Sequence, residues 1–204
     1  MKEKNRIYFF STGFTFFCMK YIWRYKIIHP ERLENLHNCI IASNHISWFD
    51  PPFLGSIMPI QINILAKSEI FKYKLFSKYL KAVNAIPIRR GTIDRNAFKI
   101  VKEKLSSGQS ILLFPEGTRN SGKSRPGIGK IAIQTGRDIL PIFVKNTDKL
   151  WECFLRKKKL IFVIGERIPQ ESYSDLDDKK DNYRSLANTI FSKICELENE
   201  CPVG

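Results

Sequence analysis

The sequence predicts an α/β fold: a mixed, mostly parallel central sheet flanked by helices, preceded by an N-terminal hydrophobic segment. Two observations predict this arrangement. Short apolar runs of strand length alternate with longer segments of helical periodicity, which is typical of parallel sheets with helices packed on them. The chain has 204 residues, 43% of them hydrophobic, which is enough for one domain with a sizeable core.

The elements follow one another along the chain. We expect strands at residues 38–43, 61–67, 84–90, 110–114, 139–146 and 159–166, because each is a short apolar run that ends at polar residues. We expect helices at residues 51–58, 68–81, 92–108, 128–136 and about 178–200. Gly108 closes the third of these helices.

The N-terminal segment carries thirteen largely apolar residues, IYFFSTGFTFFCM, between Arg6 and Lys20. A membrane span needs about 20 apolar residues, and basic residues flank this shorter stretch on both sides. We therefore expect residues 1–30 to form a membrane-docking helix that lies in one leaflet. Residues 31–204 would form the α/β domain. A true span and a soluble core helix remain as alternatives.

The formal charge of +14 points to anionic partners. Residues 61–104 hold eleven Lys or Arg against three Asp or Glu, a net charge of +8. Lys74, Lys78 and Lys81 fall on one face of a predicted helix rich in aromatic residues. Such a helix suits an anionic membrane surface, and a core-packed helix with a solvated lysine edge is the alternative. No nucleic-acid partner is expected, because no nucleic-acid module is present.

The five cysteines are scattered and form no CxxC pair. The three histidines lie near none of them at zinc-ligand spacing, and His45 has no second histidine or carboxylate at such a spacing. We expect reduced thiols, neither disulfides nor a metal site, and no metal-dependent hydrolase.

The stretch NHISWFD at residues 44–50 places His45 and Asp50 directly after an apolar strand. Residues five apart on a helix lie about 140° apart around its axis, so these side chains meet only if the chain turns between them. Asp50 followed by Pro51 is typical of a helix N-cap with proline at the first helical position, which predicts such a turn. A general base with its orienting carboxylate is one interpretation, and a helix cap beside an unrelated histidine is the other.

A second polar loop, PEGTRNSG, follows the predicted strand at residues 110–114. Gly117 permits close approach of a ligand to the backbone, Thr118 can donate to an oxyanion, and the guanidinium fork of Arg119 suits phosphate. Arg89 and Arg90 end another predicted strand. Ligands of open α/β sheets bind beyond the carboxyl ends of the strands, so these three strand ends predict a base beside an anion clamp.

The order of these motifs resembles the lysophospholipid acyltransferase family. NHISWFD is similar to the family's NHxxxxD motif, and FPEGTR at residues 114–119 matches its third motif in full. NAIPIRRG at residues 84–91 is similar to the second, with Asn84 where glycine is common and Arg89 where an acid is common. Arg90 therefore matches that motif's arginine. ILPIFV at residues 139–144 is similar to the fourth, and the resemblance covers roughly residues 35–168.

The resemblance implies an activity and its partners. An acyl chain would pass from an acyl thioester, acyl-coenzyme A or acyl carrier protein, to the sn-2 hydroxyl of lysophosphatidic acid and give phosphatidic acid. No bound cofactor is implied. The enzyme would work on an anionic phospholipid membrane, at the cytoplasmic face of the cell membrane. Another lysolipid acceptor, such as a lyso-ornithine lipid, is an alternative within the family, and a non-enzymatic basic membrane-binding protein is the alternative outside it.

The resemblance also implies roles for residues. His45 would be the general base and Asp50 the carboxylate that orients it, as in a hydrolase triad without the serine. Glu116 would orient an arginine or a substrate hydroxyl. The oxyanion donor would be Asn44 or a backbone N–H. The substrate-binding residues would be Arg90, Glu116, Gly117, Thr118 and Arg119.

Overall fold

The computed structural model describes residues 6–34, 36–89 and 94–202. Within these residues, seven strands form one sheet in the order β1-β7-β6-β2-β5-β3-β4. Neighbouring strands run parallel except β6 and β7, so the predicted mixed, mostly parallel sheet is confirmed. The strands are β1 Tyr25–Ile28, β2 Ile40–Ser43, β3 Ile62–Lys67, β4 Ala85–Ile88, β5 Ser110–Leu113, β6 Ile139–Lys145 and β7 Leu160–Ile164.

Helices lie between most of the strands. They are α1 Arg6–Cys18, α2 Asp50–Ile57, α3 Lys74–Ala82, α4 Arg95–Ser106, α5 Gly127–Thr135, α6 Leu150–Phe154 and α7 Lys180–Glu196. A π-helical turn, Met19–Trp23, follows α1, and short 3₁₀ turns occur at Pro30–Leu33, Ser68–Lys72, Gln170–Tyr173 and Leu197–Glu200. The single helix expected over residues 68–81 is divided, because the backbone at Tyr73 is extended. The sequence did not predict β1 or α6. Strand β1 lies inside the segment expected to form the N-terminal helix, and α6 has only five residues, too few to show a helical period.

Helices cover both faces of the sheet, which explains why β2, β5 and β7 are buried at every residue. One face packs against α4, α5 and α7, and the other packs against α2 and α6. Helices α5 and α7 approach very closely at Gly129. A Cβ atom there would lie 2.1 Å from the carbonyl oxygen of Tyr183, so only glycine fits.

The N-terminal helix α1 is attached to the domain along one side only. The Tyr8 side chain is buried, and its hydroxyl accepts a hydrogen bond from the Ile62 N–H at 3.1 Å. The rest of the helix surface exposes five large apolar side chains: Ile7, Phe9, Phe10, Phe14 and Phe17. Strand β1 pairs with β7, so the expected boundary at residue 30 falls after a strand of the sheet. No helix in the described ranges has the length and apolar content needed to cross a bilayer.

Helix α3 is not packed into the core along its length. Only Leu80 of this helix is buried. Leu75 is 89% exposed, and Phe76 and Tyr79 are also exposed, beside the lysines that the sequence placed on one face. The alternative of a core-packed helix therefore does not describe α3.

Candidate active site

The candidate site lies at the carboxyl edge of three adjacent strands. Strand β2 lies between β5 and β6 and is parallel to both. The segments that follow these strands, residues 44–49, 114–126 and 146–149, therefore emerge at the same edge of the sheet. This is the edge where open α/β sheets bind their ligands.

His45 and Asp50 meet across the turn that follows β2. The distance from His45 Nδ1 to Asp50 Oδ2 is 2.8 Å, and both residues are buried. The same Asp50 oxygen accepts the backbone N–H groups of Ile46 and Ser47, each at 2.8 Å. These bonds fold the chain back on itself between the two residues, as local bonds from aspartate to backbone commonly do.

Asp50 does not cap helix α2 in the expected way. The helix begins at Asp50 itself, and Phe49 occupies the cap position without a side-chain cap bond. The Asp50 carboxylate accepts from backbone groups that precede it in the chain, so it is not available to the helix amides that follow. Prolines at the first helical positions remove N–H groups that a cap would otherwise satisfy. The expectation of an Asp50 N-cap is wrong, although the turn it predicted is present.

Thr147 completes the surroundings of Asp50. Its hydroxyl donates to Asp50 Oδ1, and both side chains are 0% exposed. Asp50 thus accepts from two backbone amides, one hydroxyl and the imidazole, which is the satisfaction a buried carboxylate requires. Thr147 was not predicted from the sequence. It is one of several consecutive polar residues after strand β6, and the pattern does not distinguish it from its neighbours.

The His45 ring is fixed from a second direction. It stacks on Phe114, with ring centroids 4.1 Å apart and an angle of 19° between the planes. Because an ionised carboxylate can only accept, Nδ1 carries the hydrogen and Nε2 presents its lone pair. In the part of the chain that the structure describes, no group hydrogen-bonds Nε2. That nitrogen is the one suited to take a proton from a substrate hydroxyl.

Glu116 contacts the backbone on both sides of the site. One carboxylate oxygen accepts the His45 N–H at 3.1 Å, and the other accepts those of Ser121 and Gly122 at 2.7 and 3.0 Å. The Asn120 N–H donates to the His45 carbonyl at 2.9 Å. Glu116 is only 4% exposed. Its contacts tie the loop after β5 to the base, and no arginine of the described residues bonds its carboxylate.

Asn44 is occupied by the sheet. Its amide oxygen accepts the Val144 N–H at 2.7 Å, and its amide nitrogen donates to the Val144 carbonyl at 2.9 Å. The side chain thereby extends the pairing of β2 and β6. One of the two amide hydrogens of Asn44 is therefore engaged by the sheet, and its second amide hydrogen and a backbone N–H both remain candidates for the oxyanion donor.

Arg119 lies over the indole of Trp48. The guanidinium carbon is 3.7 Å from the ring centroid, and Trp48 is 69% exposed. Stacking of this kind orients the guanidinium plane and leaves its N–H edge for an anion. Arg119 thus joins the turn that carries His45 to the loop that carries Glu116. Arg90, the other expected arginine, lies outside the described residues.

A cavity of about 760 Å³ adjoins the site on the side of α4, α5 and α7. Gly117 and Thr118 line it, and so does Phe114, whose ring stacks on His45. Gly117 has φ +69°, a conformation that favours glycine. Apolar side chains form most of the remaining wall, and basic ones also line it: Arg89, Arg125, Lys130, Lys180 and Arg184.

Known proteins resemble this chain in sequence and in fold. The Acyltransferase family model matches residues 24–145. A 1-acyl-sn-glycerol-3-phosphate acyltransferase of Bacillus subtilis is 30% identical over 178 residues, covering 86% of this chain and 88% of that protein. One of Streptococcus pneumoniae is 25% identical over 165 residues, but the match spans only 61% of its length. The crystal structure of the 1-acyl-sn-glycerophosphate (LPA) acyltransferase from Thermotoga maritima has a TM-score of 0.68 at 20% identity, covering 98% of this chain and 83% of that one.

Proposed function

The chain belongs to the Acyltransferase family, and on this premise we propose that it is a 1-acyl-sn-glycerol-3-phosphate acyltransferase. It would transfer an acyl chain from an acyl thioester to the sn-2 hydroxyl of lysophosphatidic acid and form phosphatidic acid for phospholipid synthesis. The observation that carries the proposal is the buried His45–Asp50 pair, with Nε2 left for substrate, beside the loop of Gly117, Thr118 and Arg119.

The chemistry proceeds by direct transfer. His45 Nε2 takes the proton of the acceptor hydroxyl while the hydroxyl oxygen attacks the thioester carbonyl carbon. Asp50 stabilises the imidazolium that forms. The tetrahedral intermediate collapses as its C–S bond breaks, and the imidazolium returns the proton to the departing thiolate. No enzyme nucleophile takes part, so no acyl-enzyme forms.

Anion recognition falls to the loop after β5. Arg119, held flat on Trp48, offers two parallel N–H groups to the acceptor phosphate. Gly117 and Thr118 lie beside it, and Arg90 is assigned to the same phosphate by its place in the second motif. Glu116 contributes indirectly, because its contacts place this loop against His45. The apolar cavity with basic side chains on its wall suits the remaining parts of an anionic lipid substrate.

The proposed location is the cytoplasmic face of the cell membrane. The exposed apolar side of α1 would lie in one leaflet, and the lysines and aromatic residues of α3 would lie on its surface. Both substrates carry negative charge, as does the membrane that holds the acceptor. The net charge of +14 is consistent with such partners.

An acceptor and donor panel tests the proposal. Purified protein would be given acyl-coenzyme A or acyl carrier protein thioester, with lysophosphatidic acid, lyso-ornithine lipid or monoacylglycerol as acceptor. We expect product from lysophosphatidic acid, and little from monoacylglycerol because it lacks the phosphate. His45→Asn would abolish transfer. His29→Asn is the matched control, since the His29 side chain is 36% exposed, its ring contacts Glu31 and Glu200 and no described residue of the site, and asparagine tolerates its φ of +59°.

Arg119→Ala tests the phosphate contact in the same panel. We expect a higher KM for lysophosphatidic acid with little change for the donor, while Lys99→Ala, an exposed cation on α4, leaves both unchanged. If lyso-ornithine lipid were the preferred substrate, the proposed acyl transfer would stand and the proposed acceptor would be wrong. Full activity of His45→Asn would refute the assigned base.

A further inference from the structure

The connection between β6 and β7 carries an unusual surface. Helix α6 packs against the core through Cys153, which is 1% exposed, and against the turn Met19–Trp23. Its other side exposes large apolar residues: Trp151 is 71%, Phe154 49% and Leu155 46% exposed. The rings of Trp151 and Phe154 stack on each other, with centroids 5.4 Å apart. A stacked pair of exposed aromatics on so short a helix contributes nothing to the core.

Basic residues flank this helix in the sequence. Lys149 precedes the helix, and Arg156, Lys157, Lys158 and Lys159 follow it. The only acidic residue among residues 149–159 is Glu152, so the segment has a net charge of +4. Lys158 pairs with Glu152 at 2.6 Å, which leaves four cations of the segment for other partners. Aromatic rings between cations are typical of segments that lie at the headgroup level of an anionic bilayer.

The exposed surface of α6 lies close in the chain to the residues that support the candidate active site. Helix α6 begins three residues after Thr147, whose hydroxyl donates to Asp50. It also continues the apolar side of the N-terminal segment, because the turn that it packs against exposes Tyr21 and Ile22. A bilayer that contacts both would therefore lie close to the edge of the sheet that holds His45.

We propose that α6 and the basic residues around it, residues 149–159, form a further membrane-docking site for anionic phospholipid, separate from α1 and α3. Trp151 and Phe154 enter the interface, and the cations contact lipid phosphates. Together with α1 and α3, this contact fixes the orientation of the domain on the membrane. The charge complementarity and the continuity with the apolar turn favour a bilayer over an acidic protein or a second copy of the chain.

Vesicle binding by the full chain tests this proposal. Partition coefficients would be measured by co-sedimentation with phosphatidylcholine vesicles, with and without about 30% phosphatidylglycerol. We expect the double substitution Trp151→Ser and Phe154→Ser to lower binding about tenfold on both vesicles. Lys157→Glu with Lys159→Glu should lower it about tenfold or more on the anionic vesicles only. The matched control, Lys99→Glu with Lys193→Glu, changes net charge equally on α4 and α7 and should stay within about twofold.

Three outcomes would overturn the proposal. The serine variant could bind vesicles as wild type does, or the control could lose as much binding as the lysine variant. In the third, vesicle binding is unchanged, but the variant loses either turnover with the acyl carrier protein donor only or self-association. Either result would assign the surface to a protein partner. The unfolding midpoint and turnover in detergent micelles confirm that each variant is folded. Binding is measured without acyl transfer, so this proposal and the proposed function fail separately.

Discussion

Replacing Thr147 with valine removes one hydroxyl from a buried carboxylate and changes little else in shape. The Thr147 hydroxyl is the sole donor to Asp50 Oδ1 among the described residues, because the imidazole and both amides bond Oδ2. Asp50 is 0% exposed, so water does not replace the lost donor. A hydrogen bond to a charged group contributes about 1.5–3 kcal/mol, and we expect Thr147→Val to lower the free energy of unfolding by this amount.

Activity should fall as well, through kcat more than KM. A weaker hold on Asp50 loosens the orientation of His45, which acts in the transition state and not in binding the acceptor. The measurements are urea unfolding and steady-state transfer to lysophosphatidic acid. Thr147→Ser keeps the hydroxyl and is the matched control. Wild-type stability together with wild-type kcat in Thr147→Val would refute the assignment of Thr147 as a support of the base.

Three further predictions concern the loop, the packing and the thiols. Glu116→Gln turns an N–H₂ group toward a backbone N–H donor, so it should lower the free energy of unfolding in urea by about 1–3 kcal/mol and reduce kcat. A variant that matches wild type in both would contradict the contact between Glu116 and the His45 backbone. Gly129→Ala places Cβ 2.1 Å from the Tyr183 carbonyl oxygen, and calorimetry should show destabilisation of about 3 kcal/mol or failure to fold. An unchanged midpoint of thermal unfolding would refute the close contact of α5 and α7. Burial raises the pKa of the Cys39 thiol to about 11, so native Cys39 should resist iodoacetamide at about pH 8 while exposed Cys195 reacts. Equal labelling of the two thiols, measured by mass spectrometry, would contradict the burial of Cys39.

The parts of the fold that sequence reasoning reached are those with a local cause. The predicted strands were apolar runs, since helices cover both faces of the sheet and β2, β5 and β7 are buried at every residue. The meeting of His45 and Asp50 could be predicted because Pro51, directly after Asp50, indicated a helix start and hence a turn before it. Strand β1 was missed because Tyr25–Ile28 lies inside the segment that was assigned to the N-terminal helix. Helix α6 was missed because its five residues are too few to show a helical period.

The parts of the site that sequence reasoning missed depend on distant partners. Thr147 lies 97 residues from Asp50 in sequence, and only the pairing of β2 with β6 brings them together. Glu116 was expected to orient an arginine or a substrate hydroxyl, but its partners are backbone N–H groups, which a sequence does not display. Asn44 was a candidate oxyanion donor, and its amide oxygen and one amide hydrogen pair with Val144, which the sequence did not indicate. The sequence showed that each of these side chains is polar, but the conformation of the loops determines which hydrogen-bond partners each side chain has.

Direct transfer by His45 is the central claim, and thiol release in a rapid-quench experiment tests it most directly. Protein and acyl-coenzyme A labelled in the acyl chain would be mixed with or without lysophosphatidic acid. We predict labelled phosphatidic acid and coenzyme A in equal amounts with acceptor, and neither a thiol burst nor labelled protein without it. His45→Asn should release nothing above background in either case. One thiol per protein without acceptor, with label on the protein, would contradict direct transfer, and unimpaired release in His45→Asn would contradict the role of His45.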